Sequence, residues 1–504
     1  MNNFKVLVFQ EIYQQFKSFK FFVLIVLAFT VSLSVSYVRL NNFKEGYDTY
    51  LSEVKRSQEK LKKVQVYSEL EIAVFYPPNP LSIFANGVDD KVGNKIIVSA
   101  THYPGIQSTS QKANPFLNLF SDIDIIGIVK LFSIFVILMT AGIIAGERED
   151  KTLKMVFINN VSRIEYFLAK YMAVSVVVFC SVILIFLTPT LIILMDNQIS
   201  IGSNFIGGVA SLLVVSFFYI SVFILFSLLV SVRTGSSAQA VLITLFIWLG
   251  MTFIYPQITS SLISQIKKAS SKVVLEAEIK KIDLDLVHDN GDFFVENYPK
   301  QKVDMYINEG FDLDNGKSSL AFVSKKIGLT QKYYFEFEEN FINKSILGIW
   351  KRHNIVQSLE NAYKKSLLSQ ATLFEFLNFI TPDVVYKQIS EKLAGTDRKY
   401  REEDFQDAAS SYRELLIDYV RSKNGFGYLF FTQTREEDMK DNYNTYTQED
   451  KKKYTKFANL ETDDIPQFTL QHKKTFPNEI LILVGVNLLL FTIGSIFFYR
   501  LKIL

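Results

Sequence analysis

Cysteine is almost absent from this chain: Cys180 is the only one in 504 residues. That excludes an intrachain disulfide framework and any cysteine-based zinc or iron–sulfur centre. Histidine is nearly as scarce. His102, His288, His353 and His472 are scattered, and none has the i,i+4 spacing that puts two imidazoles on one helix face. The methionines do not cluster into a copper-relay surface. With 22 glycines and 11 prolines, against 45 phenylalanines and 25 tyrosines, the chain is neither collagen-like nor low-complexity. Charge of one sign is also lacking. Fifty-four basic residues against 51 acidic ones leave a net charge of +3, and no electrostatic case for nucleic acid as a partner.

Catalytic motifs fail as well. The stretch Gly310 to Ser318 resembles a phosphate loop, but five residues separate Gly310 from Gly316 where that loop needs four. The same acids miss the ligand ladder of a calcium loop. There is no Gly-x-Ser-x-Gly elbow, and Cys180 lies inside an apolar run as a small hydrophobe. No catalytic residue and no metal site is expected, so this chain is not read as an enzyme.

What is present is length without charge. A helix rising about 1.5 Å per residue needs about 20 apolar residues to cross a hydrocarbon core of about 30 Å. Six segments qualify: residues 21–38, 125–145, 171–195, 205–232, 237–255 and 480–499. The second qualifies only if it begins near Ile125, which puts Lys130 about one turn inside, where a lysine can snorkel to the headgroups. Residues 1–20, with Phe4, Leu7, Val8, Ile12 and Phe16 among Lys and Gln, read as an interfacial amphipathic helix. The long first region and its Glu11 speak against a cleaved signal peptide.

Lysine and arginine then set the orientation. Lys5, Lys17 and Lys20, then Arg148 to Lys170, Arg233, and Arg500 with Lys502 all fall on one face if both termini are cytoplasmic. The loop 196–204 on the other face has no Lys or Arg. Both long segments, 39–124 and 256–478, are then extracytoplasmic. The first opens on an amphipathic run from Phe43 to Val64. Strands follow at Glu71 to Phe75 and Lys95 to Ser99, with turns at Pro77 to Pro80 and at Pro104-Gly105, which makes a small α+β lobe. The second reads as a larger, mainly α lobe, with helices over 259–287, 320–343, 355–373, 382–393 and 402–421. Turns are expected at 289–292 and 312–316, and the stretch 436–462 is highly charged. The fold class is thus an α-helical integral membrane protein with two extracytoplasmic lobes.

The short hairpin 146–170 carries most of the functional signal. It is charged, and Leu153, Val156 and Phe157 stand at helical spacing as an apolar patch beside the charges, the combination that docking to a soluble partner needs.

This hairpin resembles the coupling region of ABC-2 type transporter permeases. Glu147, Thr152, Leu153, Asn159, Val161, Ser162, Arg163 and Lys170 match, whereas Lys151 stands where the pattern has Gly and Asn160 where it has Pro. Glu11, the run Pro78 to Ser82 with Phe84 and Gly87, and Trp248 with Pro256 extend the likeness along the chain. So do Thr381-Pro382, Leu393 to Thr396, Phe405 and Tyr412-Arg413. Together they resemble the subgroup with large external lobes, which includes permeases tied to maturation of multicopper enzymes and nitrous-oxide reductase; no copper ligands are visible here. The resemblance implies an export-type permease half, and the low-cysteine, Lys/Asn/Ile/Phe-rich composition is compatible with a bacterial inner membrane. It implies two separate ABC-type ATPases as partners, with MgATP on them and no cofactor in this chain. A second permease half, identical or paralogous, completes the assembly, with membrane lipid around it and an extracytoplasmic partner as a further option. It also implies an ATPase-coupling surface at Glu11, Glu147, Arg148, Thr152, Leu153, Phe157, Asn159, Ser162 and Arg163.

The spans are almost purely apolar, with Ser, Thr and Gly as the relief, so a lipidic or amphipathic cargo fits better than a hydrophilic one. Two alternatives stay open: ATP-driven mechanotransmission to an envelope partner, and a membrane scaffold or receptor without an ATPase.

Overall fold

A backbone removed from water must satisfy its own hydrogen bonds, so each long apolar run becomes a helix. The computed structural model describes residues 2–89, 92–100, 104–107, 123–158, 161–196, 202, 204–267, 271–297, 331–423, 425–426, 430, 460, 462–470 and 477–500. Among them, six helical segments are long and apolar enough to cross a membrane. The chain is a multi-pass, α-helical membrane protein.

Helix α1 (Asn2–Lys17) ends at Ser18, whose extended backbone and hydroxyl cap the next helix by accepting from the Phe21 amide at 3.3 Å. Helix α2 (Phe19–Leu61) is the first span and the amphipathic run in one unbroken rod, about 65 Å long at 1.5 Å per residue. Strands β1 (Glu71–Phe75), β2 (Lys95–Ser99) and β3 (Ile106–Gln107) follow as an antiparallel sheet in the order β1-β2-β3, with Glu71 opposite Ser99 and Ile96 opposite Ile106.

The second span is two helices, α3 (Ile125–Thr140) and α4 (Ile143–Glu149), broken at Ala141-Gly142. Amides freed by the break are met from the neighbouring span: the Ser231 hydroxyl accepts from Ile144 at 3.2 Å and Ala145 at 2.9 Å. A side chain at Gly142 would meet the Ser237 hydroxyl, which would have to turn away to admit it. After the short α5 (Leu153–Ile158), the third span α6 (Arg163–Leu194) contains Pro189. Proline has no N–H, which orphans the carbonyl four residues back. That carbonyl belongs to Ile185, and the fully buried Ser32 of α2 donates to it at 2.8 Å.

Spans four and five are α7 (Phe205–Arg233) and α8 (Ser237–Leu249), the latter continuing through a π turn at Gly250–Ile254 into α9 (Tyr255–Ile266). Polar side chains tie the bundle. The Trp248 indole donates to Ser133 at 2.8 Å, the Tyr171 and Ser221 hydroxyls pair at 2.7 Å, and the Asn487 amide donates to the Phe218 carbonyl at 2.9 Å. In lipid such contacts and close packing hold helices together, because apolar surface alone gives no preference for protein over lipid.

Beyond α9 lie α10 (Lys272–Asn297), α11 (Gln331–Asn378), α12 (Pro382–Ala394), a π turn at Lys399–Asp404, α13 (Phe405–Ser422) and the sixth span α14 (Ile480–Tyr499). Three sequence expectations change here. The helix over 259–287 is interrupted, because Lys267 is extended and Ser271 caps a new helix by accepting from the Val273 amide at 3.3 Å. The turn at 289–292 is instead helical and lies within α10. Helical packing upstream carries through Gly291: Arg352 of α11 pairs with Asp283, and Gly348 lies flush against Leu286. Finally, the helix expected over 355–373 is the middle of the 48-residue α11. The helix over 320–343 is described only from Gln331, and the turn 312–316, the Gly310–Gly316 stretch, His102, His472 and most of 436–462 lie outside the described residues.

The two long segments, separate in sequence, share one core. Val74, Ile96 and Val98 of the sheet pack with Phe405, Ala409, Leu416 and Val420 of α13. Arg413, 1% exposed, donates to the Ser99 and Ala100 carbonyls at 3.0 and 2.8 Å and also bonds the His353 ring. Burial and that guanidinium push the His353 imidazole down to about 4, so the ring stays neutral. The two loop motifs interlock as well. The Asn79 amide donates to the Ala394 carbonyl at 2.8 Å, the Thr396 hydroxyl to the Ala85 carbonyl at 2.9 Å, and the Tyr76 hydroxyl to the Gly395 carbonyl at 2.9 Å. Gly87, at φ +53°, lies where any side chain would strike the Thr396 backbone.

Helix α12 belongs to neither half alone. Val385, Tyr386 and Ile389 join the core of the spans. Tyr386 stacks on Tyr219 of α7, with centroids 4.3 Å apart, and its hydroxyl pairs with Ser216 at 2.7 Å. At its first turn Asp383, 1% exposed, accepts from the hydroxyls of Tyr219 and Thr252, each at 2.6 Å. Tyr219 is about 21 Å along α7 from Arg233 at 1.5 Å per residue. The helix therefore dips from the lobe side well down among the spans.

Candidate functional site

The hairpin between spans two and three is built from short pieces, each closed by a specific contact. Helix α4 delivers Glu147, Arg148 and Glu149 at its end. Asp150 caps that helix, and Lys151 follows at φ +61°. This is the left-handed position that commonly terminates helices and that glycine occupies without strain. The place where the chain departs from the ABC-2 pattern is thus a place where the backbone itself asks for glycine. The Thr152 hydroxyl then donates to the Glu147 carbonyl at 3.1 Å, folding the turn back on the helix.

Helix α5 does not present the face expected from its spacing. Leu153 is 3% exposed, and Val156 and Phe157 are half-buried against the core of the spans. Phe157 packs on Tyr166 and Phe498 with centroids 5.5 and 6.1 Å away. In six residues the alternate face is Met155 and Ile158, 68% and 80% exposed, with Ile164 nearby at 52%. An apolar spacing of i, i+3, i+4 marks a face; it does not say whether that face turns toward the protein's own core or away from it.

Glu147 and Glu11 also turn inward. Lys170 of α6, 2% exposed, bonds the Glu147 carboxylate and lies 2.6 Å from Glu11 of α1, itself 8% exposed. One turn before it, Tyr166 donates its hydroxyl to the same Glu147. Three elements distant in sequence are thus pinned at one buried cation, and each carboxylate is paired, as burial of charge requires.

Arg148 and Glu149 clamp the opposite loop. The Arg148 guanidinium donates to the carbonyls of Val232 and Thr234 at 2.7 and 3.0 Å, at the C-terminal end of α7. The Glu149 carboxylate accepts from the Ser237 amide at 3.1 Å, at the N-terminus of α8. A cation on carbonyls and an anion on an amide each complement the helix dipole they meet.

Ser162 opens α6 with a reciprocal capping box. Its hydroxyl accepts from the Glu165 amide at 3.2 Å, and its own amide donates to the Glu165 carboxylate at 3.1 Å. Arg163 reaches the end of the sixth span, donating to the Tyr499 carbonyl at 2.5 Å. Asn159 lies outside the described residues. Of the expected surface, then, Glu147, Arg148, Thr152, Ser162 and Arg163 lie in one braced hairpin, and Glu11 of α1 is tied to it through Lys170. Reading the sequence for surface contacts left out Tyr166, Glu149, Glu165 and the outward pair Met155 and Ile158. The Ser-x-x-Glu spacing of 162–165 was a signal for Glu165; nothing local distinguished the buried Tyr166.

A family model described as ABC-2 family transporter protein matches residues 6–500, nearly the whole chain. The chain belongs to the ABC-2 transporter family. No curated protein matches it. As an ABC-2 protein it is the membrane component of an ABC transporter, a permease. Membership implies partnership with ABC ATPase subunits. In this permease the braced hairpin is the element that joins spans two, three, four, five and six at their ends opposite the lobes.

Proposed function

We propose that this permease is one half of an export assembly whose braced hairpin receives motion from separate ATPase subunits. The observation that carries the reading is the contrast within α5: Leu153 and Phe157 anchor it to the spans, while Met155 and Ile158 stand exposed in a hairpin that also exposes Glu149 and Lys151. An exposed apolar pair with a charged rim is the form of a small docking surface. A push there has three outlets. Arg148 and Glu149 lead to spans four and five, Lys170 leads to span three and α1, and Arg163 leads to span six. Rigid links of this kind suit a two-state change in which nucleotide on the ATPases favours one packing of the spans.

On this reading two ATPases bind a pair of permease halves, identical or paralogous, with MgATP on the ATPases and both termini on the cytoplasmic side of a bacterial inner membrane. The almost purely apolar spans, relieved mainly by Ser, Thr and Gly, favour a lipidic or amphipathic cargo. Mechanotransmission without transport is favoured by one observation, the continuity of α2 over 43 residues from the membrane into the lobe.

Gentle solubilisation of native membranes containing the tagged chain tests the first reading. An ATPase at one copy per half, lost when Met155 and Ile158 are both changed to Asp, is the expected result. Undiminished recovery of the ATPase with that double variant removes α5 from the interface. Transport against mechanotransmission is decided by reconstitution: ATP-dependent movement of lipid or amphipath across the bilayer is absent if the lobes merely work a partner.

A further inference from the structure

A cavity of about 120 Å³ lies where α2 leaves the apolar run of span one. Its walls come from three parts of the chain: one face of α2, the loops around the sheet, and the π turn Lys399–Asp404 of the second segment. The charged side chains lining it, among the described residues, are Arg39, Arg401 and Asp89, two guanidiniums against one carboxylate, for a formal charge of +1. Both arginines are buried, at 4% and 2% exposure.

Buried cations are held in place here by the fold. Arg39 donates to the Ser82 carbonyl at 3.2 Å. Arg401 pairs with Asp89 at 2.5 Å and its guanidinium carbon lies over the Tyr76 ring, 3.6 Å from the centroid, and its Nη1 makes no hydrogen bond among the described residues although it is buried. The residue that carries it is on a π turn, a distortion that recurs at functional sites. Asn42 and Asn86 add amides to the wall. Gly46 leaves it open, since a side chain there would meet nothing within 4 Å.

We propose that this cavity binds a phosphate-type oxyanion, held between the Arg39 and Arg401 guanidiniums. Guanidinium forks match the geometry of phosphate oxygens and bind them with charge-assisted hydrogen bonds. A lining that is net positive among the described residues favours anions over cations. The position indicates where the anion comes from. Arg39 immediately follows the uncharged stretch 21–38, next to the exposed Tyr37, at the level where hydrocarbon gives way to headgroups. The phosphodiester of a lipid headgroup and free phosphate share this chemistry. The inference goes beyond coupling and holds whether or not an ATPase docks on the hairpin.

The test uses the full-length chain, delipidated in detergent. Binding of radiolabelled inorganic phosphate is measured, and native mass spectrometry counts phosphatidylglycerol retained from mixed micelles, with and without phosphate as competitor. Each is repeated on Arg401→Gln and on Gly46→Leu, the second chosen because it fills the cavity from a helix position with open space. Both variants are expected to weaken binding at least tenfold. Retained lipid that phosphate displaces identifies the headgroup as the source; phosphate binding with no lipid retained identifies the free anion. The proposal is overturned if neither probe binds, or if Gly46→Leu binds as tightly as the parent chain. Should Arg401→Gln fail to fold, Gly46→Leu alone decides.

Discussion

At the hairpin end of the bundle, Lys170 lies between Glu11 and Glu147 with the Tyr166 hydroxyl beside them. At the lobe end, Asp383 accepts hydrogen bonds from the Tyr219 and Thr252 hydroxyls and stands in the first turn of α12, where the helix dipole favours an anion. Both solve the same problem, a charge out of water, by different means. The hairpin uses ion pairs between elements far apart in sequence; the lobe side uses neutral donors and a helix terminus. Ion pairs in a low-dielectric setting are costly to break singly, because the survivor is left bare. Hydroxyl donors give up less when one is lost. The hairpin junction is therefore the stiffer of the two, which is what a point of force entry requires, and the lobe junction is the one that re-packs more readily.

The largest expected effect tests the stiffer side. Lys170→Met leaves Glu11 and Glu147 facing each other without a cation, at a cost of about 3–5 kcal/mol. Thermal unfolding of the detergent-solubilised chain reads it, and a simultaneous Glu11→Gln and Glu147→Gln change recovers most of the loss. Asp383→Leu comes next. It strands the Tyr219 and Thr252 hydroxyls and costs about 2 kcal/mol, whereas Asp383→Asn, which keeps an acceptor, costs about half that. If Asp383→Leu proves more damaging than Lys170→Met, the ranking of the two junctions is wrong.

A smaller effect isolates a single hydrogen bond near the lobe side of span three. Ser32→Ala leaves the Ile185 carbonyl orphaned by Pro189, at about 1 kcal/mol. In a Pro189→Ala background the restored backbone N–H serves that carbonyl, so the same Ser32→Ala change costs much less. Equal costs in both backgrounds break the assignment.

How much of this was legible in the sequence depends on whether the information was local. The strands at Glu71–Phe75 and Lys95–Ser99 were read correctly, because alternation and turn residues bracket them. Apolar length marked six spans; the Ser162-x-x-Glu165 spacing also carried a local capping-box signal, which the reading for surface contacts passed over. Illegible were the contacts made across hundreds of positions. Asn79 meets the Ala394 carbonyl and Arg413 meets that of Ser99, and nothing near either residue announces its partner. The descent of α12 among the spans was hidden for a related reason. Its Val385, Tyr386 and Ile389 are too few to resemble a span, and their spacing fits a soluble core equally well. The buried face of α5 was misread because a helix of six residues offers no second turn to show which side is charged.

The smallest prediction returns to Lys151. A side chain at φ +61° costs about 1 kcal/mol relative to the right-handed region, a penalty glycine does not carry. Lys151→Gly therefore raises the melting temperature slightly, offset in part by the greater freedom of glycine in the unfolded chain. Lys151→Val lowers it, because branching at Cβ makes the left-handed region still less accessible. The order Gly above Lys above Val separates backbone strain from any contact the lysine makes, since both substitutions remove that contact. Were both variants destabilised alike, the side chain and not the turn would be what Lys151 contributes. The hairpin turn would then be shaped by a side-chain contact and not held against the local preference of its backbone.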